Sequence, residues 1–218
     1  MNRAALFDAD GTLFEGYSIF PFFDALEADA SISAADNARQ QEVLQEFVAG
    51  ETEYRDFVVA SLRVSADILA GHREKALEET AREMFDGYEY FGYVDPLFDE
   101  LNDAGVGRVL VTAEPQFIAR GLASAKGFET QHSSHFPSDQ DGVVVGVVGQ
   151  TLSSTLKGQI ATMFETAYAF GDSDGDIGML ERADQAVAIV PNDALREHAE
   201  SEGWLIVDDP RKPLNLGL

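Results

Sequence analysis

The chain has 218 residues, 45% of them hydrophobic, enough apolar material for one large domain or a domain carrying an insertion. It contains no cysteine, which excludes disulfides and thiolate chemistry. Its 39 acidic residues outnumber 15 basic ones, and the net charge of −24 makes a surface that repels nucleic acid and anionic membranes.

The N-terminal MNRAALFDAD enters a strand-like run without the apolar region of a signal peptide. No stretch approaches the ~18 uninterrupted apolar residues of a membrane span. A cytoplasmic protein is therefore expected. The acids are spread along the chain and read as a solvated surface. With lysine scarcer than arginine, they predict a protein working at high salt, with an acidic mesophilic protein as the alternative.

In chain order, AALFD (4–8) reads as a short buried strand. From Tyr17 to Tyr88 the spacing is helical, in four segments. In one of them Tyr54, Phe57, Val58, Ser61 and Leu62 follow the i, i+3, i+4, i+7 rule. Gly50 and Gly71 stand where helix C-caps belong. After Pro96 the chain alternates. PLFDELNDAG reads as helix, GRVLVTA (107–113) as buried strand, and EPQFIARGLASAKG as helix with Pro115 in its first turn. The segment around His132 and His135 reads as a polar loop, and DGVVVGVVG as a glycine-punctuated strand or hairpin. LKGQIATMFE is helix, AYAFGD strand, GDIGMLERA helix, QAVAIV strand, DALREHAESEG helix and WLIV strand. Alternation of this kind predicts an α/β fold, a Rossmann-like parallel sheet with helices on both faces. The helical block after the first strand is then a small α-helical cap, residues 16–88, inserted into a core of 1–15 and 89–218.

Chemistry-bearing groups fall where open parallel sheets collect them, at the carboxyl ends of strands. Asp8 and Asp10 end the first strand, Thr112 ends VLVT, Lys157 opens the helix of LKGQI, and Asp172 and Asp176 follow AYAFG. Two aspartates at a strand end repel unless a turn separates them or a cation serves both. Three carboxylates with a hydroxyl and a lysine describe a hard-cation site, suited to Mg²⁺, beside an anion site. Asp172 also begins a segment like a calcium loop, but Ile177 stands where glycine is required and Ala183 where a glutamate is.

FDADGTLF, VTAE, KGQI and GDSDGDIGML, in that order, resemble the four signature motifs of the haloacid-dehalogenase-like hydrolase superfamily. The helical insertion and the tail AVAIVPNDALREHAESEGWLIVD resemble its phosphoserine-phosphatase-like branch. The resemblance implies a Mg²⁺-dependent phosphomonoester hydrolase acting on a small phosphorylated metabolite, with no nucleic-acid or membrane partner. It implies Asp8 as the nucleophile that forms an aspartyl-phosphate and Asp10 as the acid and later base. Thr112 and Lys157 would bind phosphoryl oxygens. Asp8, the Asp10 carbonyl and Asp172 would hold Mg²⁺, with Asp176 in support.

One departure bears on substrate. Phosphoserine phosphatases carry a cap glutamate shortly after the first motif, and Tyr17 occupies that place here, which counts against phosphoserine. Phe20, Phe22 and Phe23 are expected to pack the cap, with a face lining a pocket as the alternative, and Arg55 and Arg63 to be solvated, with contact to a second substrate anion as the alternative. A phosphotransferase using the same intermediate and a phospho-accepting signalling module are the competing functions. The latter predicts no inserted cap.

Overall fold

The structure, a computed structural model, describes residues 3–214 and 216. The expected core termini, Met1 and Leu218, lie outside the described residues. Six strands form one parallel sheet: β1 Arg3–Phe7, β2 Gly107–Pro115, β3 Thr130–Ser134, β4 Glu165–Gly171, β5 Gln185–Ile189 and β6 Leu205–Val207. Their order is β3-β2-β1-β4-β5-β6. The chain winds outward from β1 through β2 to β3, then returns to pair β4 against the other side of β1. That reversal opens a crevice at the carboxyl end of β1, the place where such sheets bind ligands.

Both sheet faces are apolar, as a two-sided parallel sheet requires. Phe7 points to one face, where it stacks on Phe170 at 4.4 Å and meets Phe98 at 5.2 Å. Helices α5 (Val94–Asp103) and α6 (Gln116–Lys126) cover that side. Leu6 faces the other, with Val109, Ala169 and Ala188, under α7 (Ser154–Ala161), α8 (Ile177–Leu180) and α9 (Asp193–Glu202). Trp204 is packing, half-buried against this second cluster and 4.9 Å from the His198 ring.

Four helices separate β1 from α5: α1 Ile19–Ala28, α2 Ala34–Val48, α3 Tyr54–Ile68 and α4 Glu74–Asp86. Within them, the buried Gln40 Nε2 donates to Ser61 Oγ at 2.7 Å and joins α2 to α3. Gly50 and Gly71 adopt φ of +74° and +85° beyond the ends of α2 and α3. Helix α4 rests on α6 of the core, and Phe22 of α1 stacks on Phe117 of α6 at 5.8 Å.

Three local expectations are corrected. The polar segment TQHSS is β3, an edge strand in register with β2 (Val111 beside His132), because main-chain pairing holds an edge without an apolar pattern. DGVVVGVVG forms no regular strand. It folds as an irregular hairpin instead, across a tight turn in which Asp139 Oδ1 accepts from the N–H groups of Asp141 and Val143, with the Asp139, Val145 and Gly149 N–H groups donating to the Val143, Pro137 and His135 carbonyls. Pro115 has ψ of 149° and ends β2 in extended conformation, so α6 starts one residue later.

Candidate active site

The site grows from the end of β1. The Asp8 N–H donates to the Phe170 carbonyl at 3.0 Å, which extends sheet pairing one residue and fixes the Asp8 side chain above β4. The chain then turns, with Thr12 N–H and Leu13 N–H donating back to the Ala9 carbonyl. Gly11 takes φ of +71°, and a Cβ there would sit 2.3 Å from Asp172 Oδ2. Glycine is thus required twice, for the turn and for the approach of a carboxylate from β4.

Lys157 closes the arrangement. Its Nζ donates to Asp8 Oδ1 at 2.7 Å and to Asp176 Oδ1 at 2.6 Å, and the residue is only 4% exposed. The other Asp176 oxygen accepts from the N–H groups of Asp172 and Ser173, both at 3.1 Å, and from Ser173 Oγ at 3.3 Å. Both oxygens of Asp176 are therefore spoken for, and its work is to anchor Lys157 and the turn after β4. Lys157 reaches this point because α7 lies against α8 at glycine–glycine contact. A Cβ on Gly158 would stand 2.7 Å from the Gly178 carbonyl oxygen, and one on Gly178 would stand 2.2 Å from that of Ser154.

Oxygens of Asp8, Asp172 and Asp176 lie within 4.8 Å of one another, the one acidic or histidine cluster of this kind among the described residues. His132 and His135 belong to no such group. Burial and the neighbouring acids raise Asp8 to about 7, and hold Asp172 well above the usual carboxylate range. Asp172 has no basic partner among the described residues; a divalent cation between it and Asp8 would relieve both.

A cleft of about 470 Å³ opens above these groups, lined by Asp8, Asp10, Thr112 and Lys157 from the core and by Tyr54, Arg55 and Val58 from α3. Thr112 is buried, and its Oγ1 accepts from the Glu114 N–H at 3.2 Å. Asp10 Oδ1 accepts from the Ser18 N–H at 2.8 Å, which ties the acid to the start of the insertion. Arg55 is exposed at the cleft rim, whereas Arg63 does not line it. Phe20, Phe22 and Phe23 are buried in the core, and none lines this cleft.

Glu114 escaped the sequence reading. It is 8% exposed and lies beside Asp10; burial, then the Asp10 charge, push its carboxyl well above its ordinary range. The available signal was its spacing, since period two puts residue 114 on the same side of a strand end as Thr112. Tyr54 was legible only as a helix-face residue, and Tyr17 only as the residue in place of a cap glutamate. Burial is the main cause pushing the Tyr17 hydroxyl up to about 12, and the charges of Asp172 and Asp10 add to it.

Similarity to known proteins follows the same residues. The model of the haloacid dehalogenase-like hydrolases matches residues 5–181, from β1 to just past α8. The chain is 28% identical to a protein of Mycobacterium tuberculosis named phosphoserine phosphatase SerB1, over all of this chain and 75% of that one. It is 24% identical to the inhibition of morphological differentiation protein of Streptomyces azureus, over 99% and 81% of the two chains. Among solved structures, a Bordetella pertussis protein of unknown function aligns with a TM-score of 0.72 at 23% identity, covering 95% of this chain and 99% of that one. A phosphoserine phosphatase captured as a phospho-aspartyl intermediate analogue aligns at 0.66 and 17%, covering 96% and 94%. With the matched region carrying every strand end that lines the cleft, the chain belongs to the haloacid dehalogenase-like hydrolases.

Proposed function

We propose that the protein is a Mg²⁺-dependent phosphomonoester hydrolase that works through an aspartyl-phosphate on Asp8. The observation that carries the reading is the Lys157 ammonium, bonded at once to Asp8 and to the locked Asp176 beneath an open cleft. A carboxylate so held presents its second oxygen in a fixed direction, and phosphoryl transfer needs chiefly positioning and charge stabilisation. Similarity to a named phosphoserine phosphatase and to a phospho-aspartyl analogue supports the same chemistry. The cap is taken to span 16–88, and of its helices α3 lines the cleft through Tyr54, Arg55 and Val58.

In this mechanism Asp8 attacks phosphorus while Lys157 offsets charge on the nucleophile and on a phosphoryl oxygen. Thr112 Oγ1 already accepts a hydrogen bond from the main chain, so its proton is free for a second phosphoryl oxygen. Asp10, steadied by the Ser18 N–H, protonates the leaving oxygen and then draws a proton from the water that hydrolyses the intermediate. Mg²⁺ held by Asp8, Asp172 and the Asp10 carbonyl would supply charge neutralisation, and Asp176 would support that set through Lys157 and the turn. The substrate is a small phosphorylated molecule.

The test is phosphate release from a panel of phosphomonoesters in Mg²⁺, with and without excess EDTA. Hydrolysis abolished by the chelator and restored by Mg²⁺ is expected; full activity in excess chelator overturns the metal assignment. An added alcohol that captures most of the phosphoryl group would instead identify a phosphotransferase.

A further inference from the structure

We infer that Tyr93 is a positioning residue for Asp10, its hydroxyl holding the far end of the turn that carries this acid. The inference rests on the phosphatase reading above. Tyr93 lies outside all four motifs, directly before α5, where the chain returns from the inserted helices. It is fully buried, and its hydroxyl donates to the Thr12 carbonyl at 2.5 Å, across 81 residues of chain. Two residues earlier, the Phe91 N–H donates to the Leu13 carbonyl at 2.8 Å. The returning linker thus grips the carbonyls of Thr12 and Leu13, while the N–H groups of the same two residues close the turn on Ala9.

The turn is held at both ends through neighbouring aromatic residues. Its entry is fixed by the Asp8 N–H on the Phe170 carbonyl. The Phe170 ring stacks on that of Tyr93, with centroids 6.5 Å apart and planes 20° apart, and Tyr93 fixes the exit. Asp10 stands between these points. The hydroxyl is what packing does not explain. Phe91 and Phe170, on which Tyr93 stacks, show that a plain phenyl ring suits this cluster. A buried hydroxyl is costly unless it is bonded, and here the bond to Thr12 offsets that cost.

Tyr93 is itself fastened from outside. Its N–H donates to the Pro210 carbonyl at 3.3 Å. Beside it, a Cβ on Gly92 would stand 2.1 Å from the Arg211 carbonyl oxygen, so the linker lies directly against the C-terminal segment. A ring held by its main chain, stacked on β4 and bonded at its tip has little freedom, and the Thr12 carbonyl meets a set position. Without the hydroxyl the turn loosens and the Asp10 carboxyl shifts from the leaving oxygen. A misplacement of about 1 Å can cost about a hundredfold in rate.

Leaving-group dependence tests this, because proton donation matters most for a poor leaving group and little for p-nitrophenolate. The measurement is kcat/KM in Mg²⁺ for p-nitrophenyl phosphate and n-propyl phosphate. Tyr93→Phe should widen the ratio of the first to the second by about tenfold, with the loss on the propyl ester falling on kcat and not on KM, since Thr112 and Lys157 are untouched. Gly92→Ala, which forces the linker away from the C-terminal segment, should widen the same ratio and keeps the test decisive if Tyr93→Phe misfolds. A ratio that does not widen in whichever variant folds, equal loss on both esters included, overturns the inference and leaves the phosphatase reading standing. No hydrolysis of either ester by wild type overturns both.

Discussion

At the scale of single residues, the site is a set of acids held together by one base, and its behaviour follows from that imbalance. Asp8→Asn keeps the shape and removes the nucleophile, so steady hydrolysis should fall below about a thousandth of wild type while thermal stability is retained. Residual turnover above that level would end the covalent mechanism. Lys157→Met should act differently. It leaves the carboxylates of Asp8 and Asp176 buried without their cation, which costs about 3–5 kcal/mol when one partner of a buried pair is removed. Urea unfolding in EDTA reads that loss. Proton linkage gives a third outcome. Asp8 sits at about 7 in the metal-free fold against 3.8 when unperturbed, so between these values the folded state holds the extra proton. Stability of the metal-free protein should therefore fall as pH rises from about 4 to 7. Thermal melts in EDTA should show that slope, and Asp8→Asn should reduce it, leaving the part carried by the raised Asp172 and Glu114.

At the scale of elements, the contact of α7 with α8 decides where Lys157 stands. Both helices give up a side chain at their crossing, Gly158 on one and Gly178 on the other. Gly178→Ala would place a methyl 2.2 Å from the Ser154 carbonyl oxygen, and backbone cannot yield as a flexible side chain does. Overpacking of this kind costs roughly 1–3 kcal/mol. It should also draw Lys157 away from Asp8, so KM for a phosphomonoester should rise along with a lowered melting temperature. A drop in stability with unchanged KM would mean that the Lys157 contacts tolerate the shift. The glycines are visible in KGQI and DIGML, yet their contact is not, because it joins two helices separated by a strand.

At the scale of the whole molecule, the net charge of −24 is the dominant quantity. Folding draws these charges together, and at low ionic strength their mutual repulsion opposes the compact state. Raising KCl from roughly 0.1 M to 1 M or more shrinks the screening length from about 10 Å to about 3 Å. The melting temperature, measured without substrate, should rise over that range. A flat response would mean that the acids are neutralised locally, and the high-salt reading of the composition would fall. No helix among the described residues is long and apolar enough to cross a membrane.

The sequence by itself determined the fold class and the family, because both rest on short-range signals. Strand and helix periods are local, and each acidic or basic motif sits at a strand end or helix start that its own neighbours specify. FDADGT announces its turn through Gly11, and GDSDGD supplies both Asp172 and the Asp176 that ties it down. The edge strand β3 was illegible because a strand held by main-chain pairing needs no apolar alternation. Only the tertiary structure decided which oxygens of Asp176 are occupied, how α3 closes over the strand ends, and that Glu114 lies beside Asp10 without a donor for Oε2. Those facts depend on segments far apart in the chain meeting in space, as Lys157 meets Asp8 across 149 residues, and on the burial that follows. Burial turns an ordinary strand-end glutamate into a group that requires a partner, and no local pattern records it.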